Sequence, residues 1–318
     1  MARAIPPRCK LLVVSAVLAL LAFDGSAHGQ EDRFVRIDTL NVRDTLYHLS
    51  DGGANALALI DEINGGVILI GTKLPGWGQA VLDAIYQVTD LPVTTIISSH
   101  VDVDHTGSNG EFPDVAEIIA HENTRANMAR MTLFAGGAPG LPTTTFAKRH
   151  TLLDDLDRID LYHFGPAHTD GDIVVVFPEK RTAYLGDLFP DKAAPVIDTA
   201  NGGSGIAFPD TLAKAVAAID GVDRVITGHG TFPTTYAGRG RRDRGARRAW
   251  TGWMTWDDLA EYADFNRDFL AAVRAAFEAG RSVEVAAATL ELPDRYAGYG
   301  MEHARANVEA IYGELATR

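Results

Sequence analysis

Residues 98–109 read SSHVDVDHTGSN, and the residues that lead into them, 93–98, read VTTIIS. A short bounded run of β-branched side chains suits a buried strand, which places His100 just past a strand's C-terminal end. Continued as extended backbone, the chain would alternate and send His100, Asp102 and Asp104 to one side. His105 directly follows Asp104, and adjacent side chains diverge, so the run addresses two neighbouring points. Imidazole and carboxylate are the ligand types that hold zinc, iron or manganese. Gly107 lets the chain turn away sharply afterwards.

Three later pieces extend this pattern: His168 in GPAHTDGD (165–172), Asp187 in YLGDLF (184–189) and His229 in ITGHGT (226–231). Each falls at the end of an expected strand and beside glycine, where backbone comes close to an ion or substrate. Together they supply four histidines and two or three aspartates, enough to surround two divalent cations and leave a position for water. No G-x-S-x-G elbow is present, and the single cysteine, Cys9, lies in the leader, so a protein nucleophile is not expected.

The surrounding sequence reads as mixed α/β. Strand-like segments at 45–49, 56–61 and 66–71 are separated by Asp51-Gly52-Gly53 and Asn64-Gly65-Gly66, the signature of hairpins. A helix is expected over 77–89, another over 122–131, and a Gly/Pro-rich loop over 135–144 that borders a pocket. Strands are expected at 158–164, 173–177, 181–185 and 224–226, with a helix at 210–218. Hairpins alternating with α/β units argue for a sandwich rather than a purely parallel sheet. From 236 onward the pattern is helical. Thr255-Trp-Asp-Asp258 reads as a capping box opening a helix that ends near Gly280, with shorter helices over 282–288 and 302–315.

The His/Asp pieces resemble the metallo-β-lactamase fold family, whose matching motifs are a His-x-His-x-Asp-His run, a GHT-like histidine, a GD aspartate and a GH histidine. The resemblance covers 46–229 and implies an αββα sandwich (30–235) carrying a helical C-terminal extension (236–318). It further implies that His100 and His168 bind a first metal and that Asp104, His105 and His229 bind a second. Asp187 would bridge them, as in the glyoxalase-II-like branch. The implied cofactor is one or two Zn2+, and the implied chemistry is metal-activated water attacking a carbonyl, with Asp104 as ligand and as the residue that orients the water. Two positions depart from the family. Asp102 stands where the second histidine belongs, as a Glu does in the iron-using flavodiiron relatives, and shifts preference towards Fe or Mn. Gly71 stands where an Asp usually supports the metal loop, a loss that weakens metal affinity ~10–100-fold. An iron-dependent oxidoreductase and a non-catalytic ligand-binding member therefore stand beside the hydrolase.

Residues 1–29 read as a cleaved signal peptide: Arg3, Arg8 and Lys10, then the 13-residue run LLVVSAVLALLAF, then small residues, with cleavage expected between Ala27 and Gln30. The run is short for a membrane span, which needs ~20 apolar residues, so a periplasmic or secreted protein is expected, with no membrane association after cleavage. The mature chain has no cysteine and forms no disulfide. Formal charge is −13 over all 318 residues, and the leader carries a net +2, so the remainder stands near −15. That balance argues against nucleic acid as a partner and leaves a small-molecule substrate, with a homo-oligomer open. The basic segment 239–248 (RGRRDRGARR) reads as a solvated loop, or as an anion contact. The stretch from Asn201 to Gly205 (NGGSG) suits either a substrate-contact loop or a plain connection, and His48, His121, His150, His163 and His303 have no partner motif.

Overall fold

The sequence ALALID over Ala56–Asp61 is buried at every position, which needs cover on both faces of its sheet. Ala56, Ala58 and Ile60 face one apolar core while Leu57 and Leu59 face another, the two-residue period of a strand. The structure, a computed structural model, describes residues 33–40, 45–154, 156–230 and 254–317. The signal-peptide reading over 1–29 and the basic segment 239–248 lie outside the described residues.

The first sheet holds β1 (Arg36–Thr39), β2 (Leu46–Ser50), β3 (Ala56–Asp61), β4 (Gly66–Ile70), β5 (Val93–Ile97), β6 (Glu117–His121) and β7 (Thr144–Phe146), in sequence order across the sheet. Its first four strands are antiparallel neighbours, and β4 to β7 run parallel. Parallel pairs need crossovers. These carry α1 (Gly78–Ile85) between β4 and β5, α2 (Val103–Thr106) between β5 and β6, and α3 (Glu122–Met128) between β6 and β7. The second sheet has the order β12-β11-β10-β9-β8, built from β8 (Arg149–Leu152), β9 (Ile159–Tyr162), β10 (Val174–Phe177), β11 (Thr182–Tyr184) and β12 (Arg224–Ile226). Between β11 and β12, which pair in parallel, lies α4 (Phe208–Ala218).

Three apolar layers follow. Leu57, Leu59, Ile68, Ile70 and Ile97 meet Leu161, Val175, Phe177, Tyr184 and Ile226 between the sheets. Val81, Leu82 and Ile85 of α1 cover the outer face of the first sheet. The outer face of the second sheet, with Val174, Val176, Ala183 and Val225, is covered by α4 and by α5 (Trp256–Glu278). Helices outside two stacked sheets make an αββα sandwich. The C-terminal helices α5, α6 (Val283–Ala288) and α7 (Ala304–Ala316) extend that outer layer, because Tyr262, Phe265, Phe269, Val308 and Ile311 belong to the same core as α4. Thr255 and Asp258 form the capping box expected at the start of α5. Glu314 of α7 accepts from Gly205 N at 2.7 Å and from Ser204 Oγ at 2.5 Å, tying the extension to the segment ahead of α4. Among the described residues no helix is long and apolar enough to cross a membrane.

Four strands were not anticipated: β1, β6, β7 and β8. β6 (EIIAH) is short, lies beside a helix start and offers no period of its own, and β7 begins inside the segment read as loop. The loop itself is anchored rather than free, since Asn109 Nδ2 donates to Gly140 O at 3.0 Å.

Candidate metal centre

The site lies past the C-terminal ends of β5, β11 and β12 and in the loop from β9 to β10. One local expectation fails. The chain does not continue extended from His100 through Asp104: after Asp102 it turns into α2, with Asp102 O accepting from His105 N and Thr106 N, each at 3.0 Å. Asp102 is the N-cap residue, yet its side chain caps nothing. It points instead to imidazoles, with Oδ2 3.2 Å from His168 Nε2 and 3.9 Å from His100 Nε2. The helical turn carries Asp104 and His105 towards a second point, a division that strand alternation alone would not give.

All seven expected side chains converge. His100, Asp102, His168 and Asp187 present ligand atoms within 4.8 Å of one another, and so do Asp104, His105 and His229. Asp187 sits between the two groups. Its Oδ1 is 3.3 Å from His105 Nε2, and its Oδ2 is 3.2 Å from His229 Nε2 and 4.0 Å from His100 Nε2. His229 Nε2 is also 3.5 Å from Asp104 Oδ2. His100, His105, His168 and Asp187 are buried, while Asp102, Asp104 and His229 are partly open.

The far side of each buried imidazole is engaged. His168 Nδ1–H donates to Val196 O at 2.9 Å, which leaves Nε2 to the cluster. Tyr184, fully buried on β11, donates its hydroxyl to Asn55 O at 2.9 Å and so accepts from His105 Nδ1–H at 3.1 Å. Ser99 Oγ lies 3.1 Å from His100 Nδ1. Such partners fix tautomer and ring orientation in metal sites. Asn55 holds the His229 turn as well, through Asn55 N to Gly228 O at 2.7 Å, and through Nδ2 to Thr227 O and Gly230 O at 3.1 and 3.3 Å. The sequence singled out neither, because Tyr184 reads as an ordinary strand residue and Asn55 falls between the Asp51-Gly52-Gly53 turn and the strand over 56–61. Only their polar atoms, in a layer of Leu, Ile and Val, hinted at a task.

The missing carboxylate at Gly71 is offset locally. Thr72 N donates to His105 O at 2.8 Å and Thr72 Oγ1 to Asn109 Oδ1 at 2.8 Å, so the α2 segment stays anchored.

Charge in the cluster is shared by protons. Burial, aided by the charge of His105, drives His100 down to about 3. Burial opposes charge on His168, but the Asp102 hydrogen bond and the charges of Asp172, Asp102 and Asp187 prevail and raise it to about 10. Burial likewise opposes an ionised Asp102, yet His168 and His100 hold it at about 2. Asp187 lies well below the carboxylate range, because His105, His229 and His100 outweigh its burial. The hydrogen bond to Asp187 raises His229. Asp102 and Asp187 are thus held ionised by the imidazoles around them.

Three buried atoms in it have no hydrogen-bond partner: His100 Nε2, His105 Nε2 and Asp187 Oδ1. Leaving a buried polar atom unpaired costs ~1–3 kcal/mol. His105 Nε2 and Asp187 Oδ1 lie 3.3 Å apart, and unpaired atoms so placed on the two groups fit divalent cations, which accept lone pairs. Among the other histidines, His163 stacks on His121 with ring centroids 3.8 Å apart and bonds Asp172 O, away from the cluster. His48 is buried against Asn55.

A family model described as the Metallo-beta-lactamase superfamily matches residues 50–229. The chain is 32% identical over 149 residues to the 2,4-dinitroanisole O-demethylase subunit alpha of Nocardioides sp. (strain JS1661), which covers 46% of this chain and 44% of that one. It therefore spans less than half the length of that relative. The structure resembles a metallo-beta-lactamase from Pontibacter korlensis with a TM-score of 0.57 and 17% identity, over 74% of this chain and 99% of the other. It resembles the sec-alkylsulfatase Pisa1 from Pseudomonas sp. with a TM-score of 0.66 and 14% identity, over 88% of this chain and 50% of the other. The wider overlap takes in part of the C-terminal helices, since the residues ahead of 254 make up only about four fifths of the chain.

Proposed function

Because the chain belongs to the Metallo-beta-lactamase superfamily, we propose that it is a metal-dependent hydrolase that uses water against a carbonyl substrate such as an ester, lactone, thioester or β-lactam. The observation that carries this reading is the set of unpartnered buried atoms on His100, His105 and Asp187. His100, Asp102 and His168 would hold one cation, Asp104, His105 and His229 a second, and Asp187 would serve both. A divalent cation held there supplies Lewis acidity and lowers the pKa of water to about 7.

This chain's own residues do the rest. Tyr184 and Val196 keep the Nε2 atoms of His105 and His168 directed inward. Asp187, braced by three imidazoles, keeps the two groups in fixed relation. Asp104, partly open to solvent and close to His229, is placed to orient a water and take its proton. On the reading of 1–29 as a signal peptide, the enzyme works outside the cytoplasm.

Asp102 supports a second reading. It gives the first group two imidazoles and two carboxylates, a set that suits iron or manganese as well as zinc, and iron would admit an oxidoreductase. The test is a substrate panel of aryl esters, lactones and β-lactams, with a sec-alkyl sulfate and 2,4-dinitroanisole added on account of the relatives' names. Each is assayed before and after chelator dialysis and after reloading with zinc, iron or manganese. Hydrolysis that vanishes with chelation and returns with metal is expected, and hydrolysis that survives chelation would overturn the reading.

A further inference from the structure

Lys73 is the one lysine or arginine that is buried among the described residues, with 0% of its surface exposed. A charge is rarely buried without a task, because removing an ion from water is expensive unless partners compensate. Lys73 also holds a left-handed backbone, φ 69°, a conformation that disfavours side chains other than glycine. Its Nζ donates to Leu49 O at 2.8 Å and to Ala54 O. These two carbonyls flank the β2–β3 turn, in which Asp51, Gly52 and Gly53 all have positive φ. The ammonium therefore closes the turn from beneath.

The turn leans on the metal centre. A Cβ placed at Gly53 would stand 3.3 Å from Asp104 Cβ, and one placed at Gly52 would stand 2.6 Å from the Trp77 ring. Burial lowers Lys73 to about 7, and the charges of Asp51 and Asp104 oppose that fall. Two carbonyls account for two of the three ammonium donors.

We propose that Lys73 is a positioning residue for the second group: it fixes the 50–54 turn against α2 and provides the counter-charge that holds the Asp104 carboxylate in place to receive a cation. The proposal rests on the two-cation reading above. Lys73 acts through Asp104 and touches neither substrate nor ion.

The experiment is calorimetric titration of metal-free protein with zinc, reading stoichiometry and the two affinities separately for the wild type, K73M and K73Q. K73M matches the length of lysine without donors or charge, and K73Q keeps a donor for the carbonyls but no charge, so K73Q decides if K73M fails to fold. Expected are two ions in the wild type and a tenfold or greater loss at one ion in both Lys73 variants, with the other ion unmoved. Equal affinities across the wild type and K73Q would overturn the proposal, as would a uniform loss at both ions. A wild type that binds no zinc, iron or manganese would instead defeat the hydrolase reading itself.

Discussion

Replacing Tyr184 with phenylalanine removes one oxygen and leaves the ring in the layer between the sheets. That hydroxyl makes two buried hydrogen bonds, 3.1 Å to His105 Nδ1 and 2.9 Å to Asn55 O. Each contributes ~1 kcal/mol, and their loss leaves two buried groups unpaired, so Y184F should cost about 2 kcal/mol. No cavity term is added, because Phe fills the same volume. If the His105 bond serves to hold the imidazole for a cation, much of that energy appears as metal affinity. At ~1.4 kcal/mol per tenfold, 2 kcal/mol is about 30-fold, inside the ~10–100-fold range seen when partners of metal ligands are removed. Calorimetric titration of metal-free Y184F with zinc should therefore show one of two ions weakened about 30-fold and the other unchanged. Unchanged affinity for both ions, together with a lowered urea midpoint, would refute the reasoning, for it would make the hydroxyl a packing element only.

Other outcomes follow from the same contacts. A Cβ at position 228 would fall on Asp187 Oδ1, so G228A should displace the shared carboxylate and reduce bound metal at both groups, read by elemental analysis. The protein's acid limb is set partly by His48. Burial lowers it to about 4 from an ordinary 6.5, so the unfolded chain binds a proton that the folded chain refuses. Stability from this residue is complete above pH 6.5 and is lost as pH falls towards 4, amounting to about 2.5 kcal/mol at pH 4.5. Urea denaturation of the metal-free protein at pH 7 and 4.5 should show that difference shrinking by about this amount in H48Q. An unchanged difference would show that the acid loss originates elsewhere.

The hairpins were legible because glycine pairs mark their turns, and the αββα layering was implied by the resemblance of the His/Asp motifs to a known family. The motif aspartates and histidines were legible because loops at strand ends offer few other reasons for that chemistry. What stayed hidden is non-local. Asp102 read as part of an extended run, whereas backbone hydrogen bonds from His105 and Thr106 wind the following residues into α2. Tyr184, Asn55 and Thr72 are polar positions in apolar segments whose partners lie far off in sequence, 129 residues away for the Tyr184–Asn55 bond. Lys73 would pass for a surface lysine until the turn at 50–54 is seen closing over it. β6 was missed because a short parallel strand buried within a sheet carries no period to read, and β7 because its three residues, at the sheet edge, begin inside the segment read as loop.

The most direct measurement of the central claim is anomalous diffraction from crystals of metal-loaded protein. Two peaks are expected per chain, one among His100, Asp102, His168 and Asp187 and one among Asp104, His105 and His229. A loaded crystal with no peak at either group, its imidazoles closed on the aspartates by hydrogen bonds alone, would contradict the account.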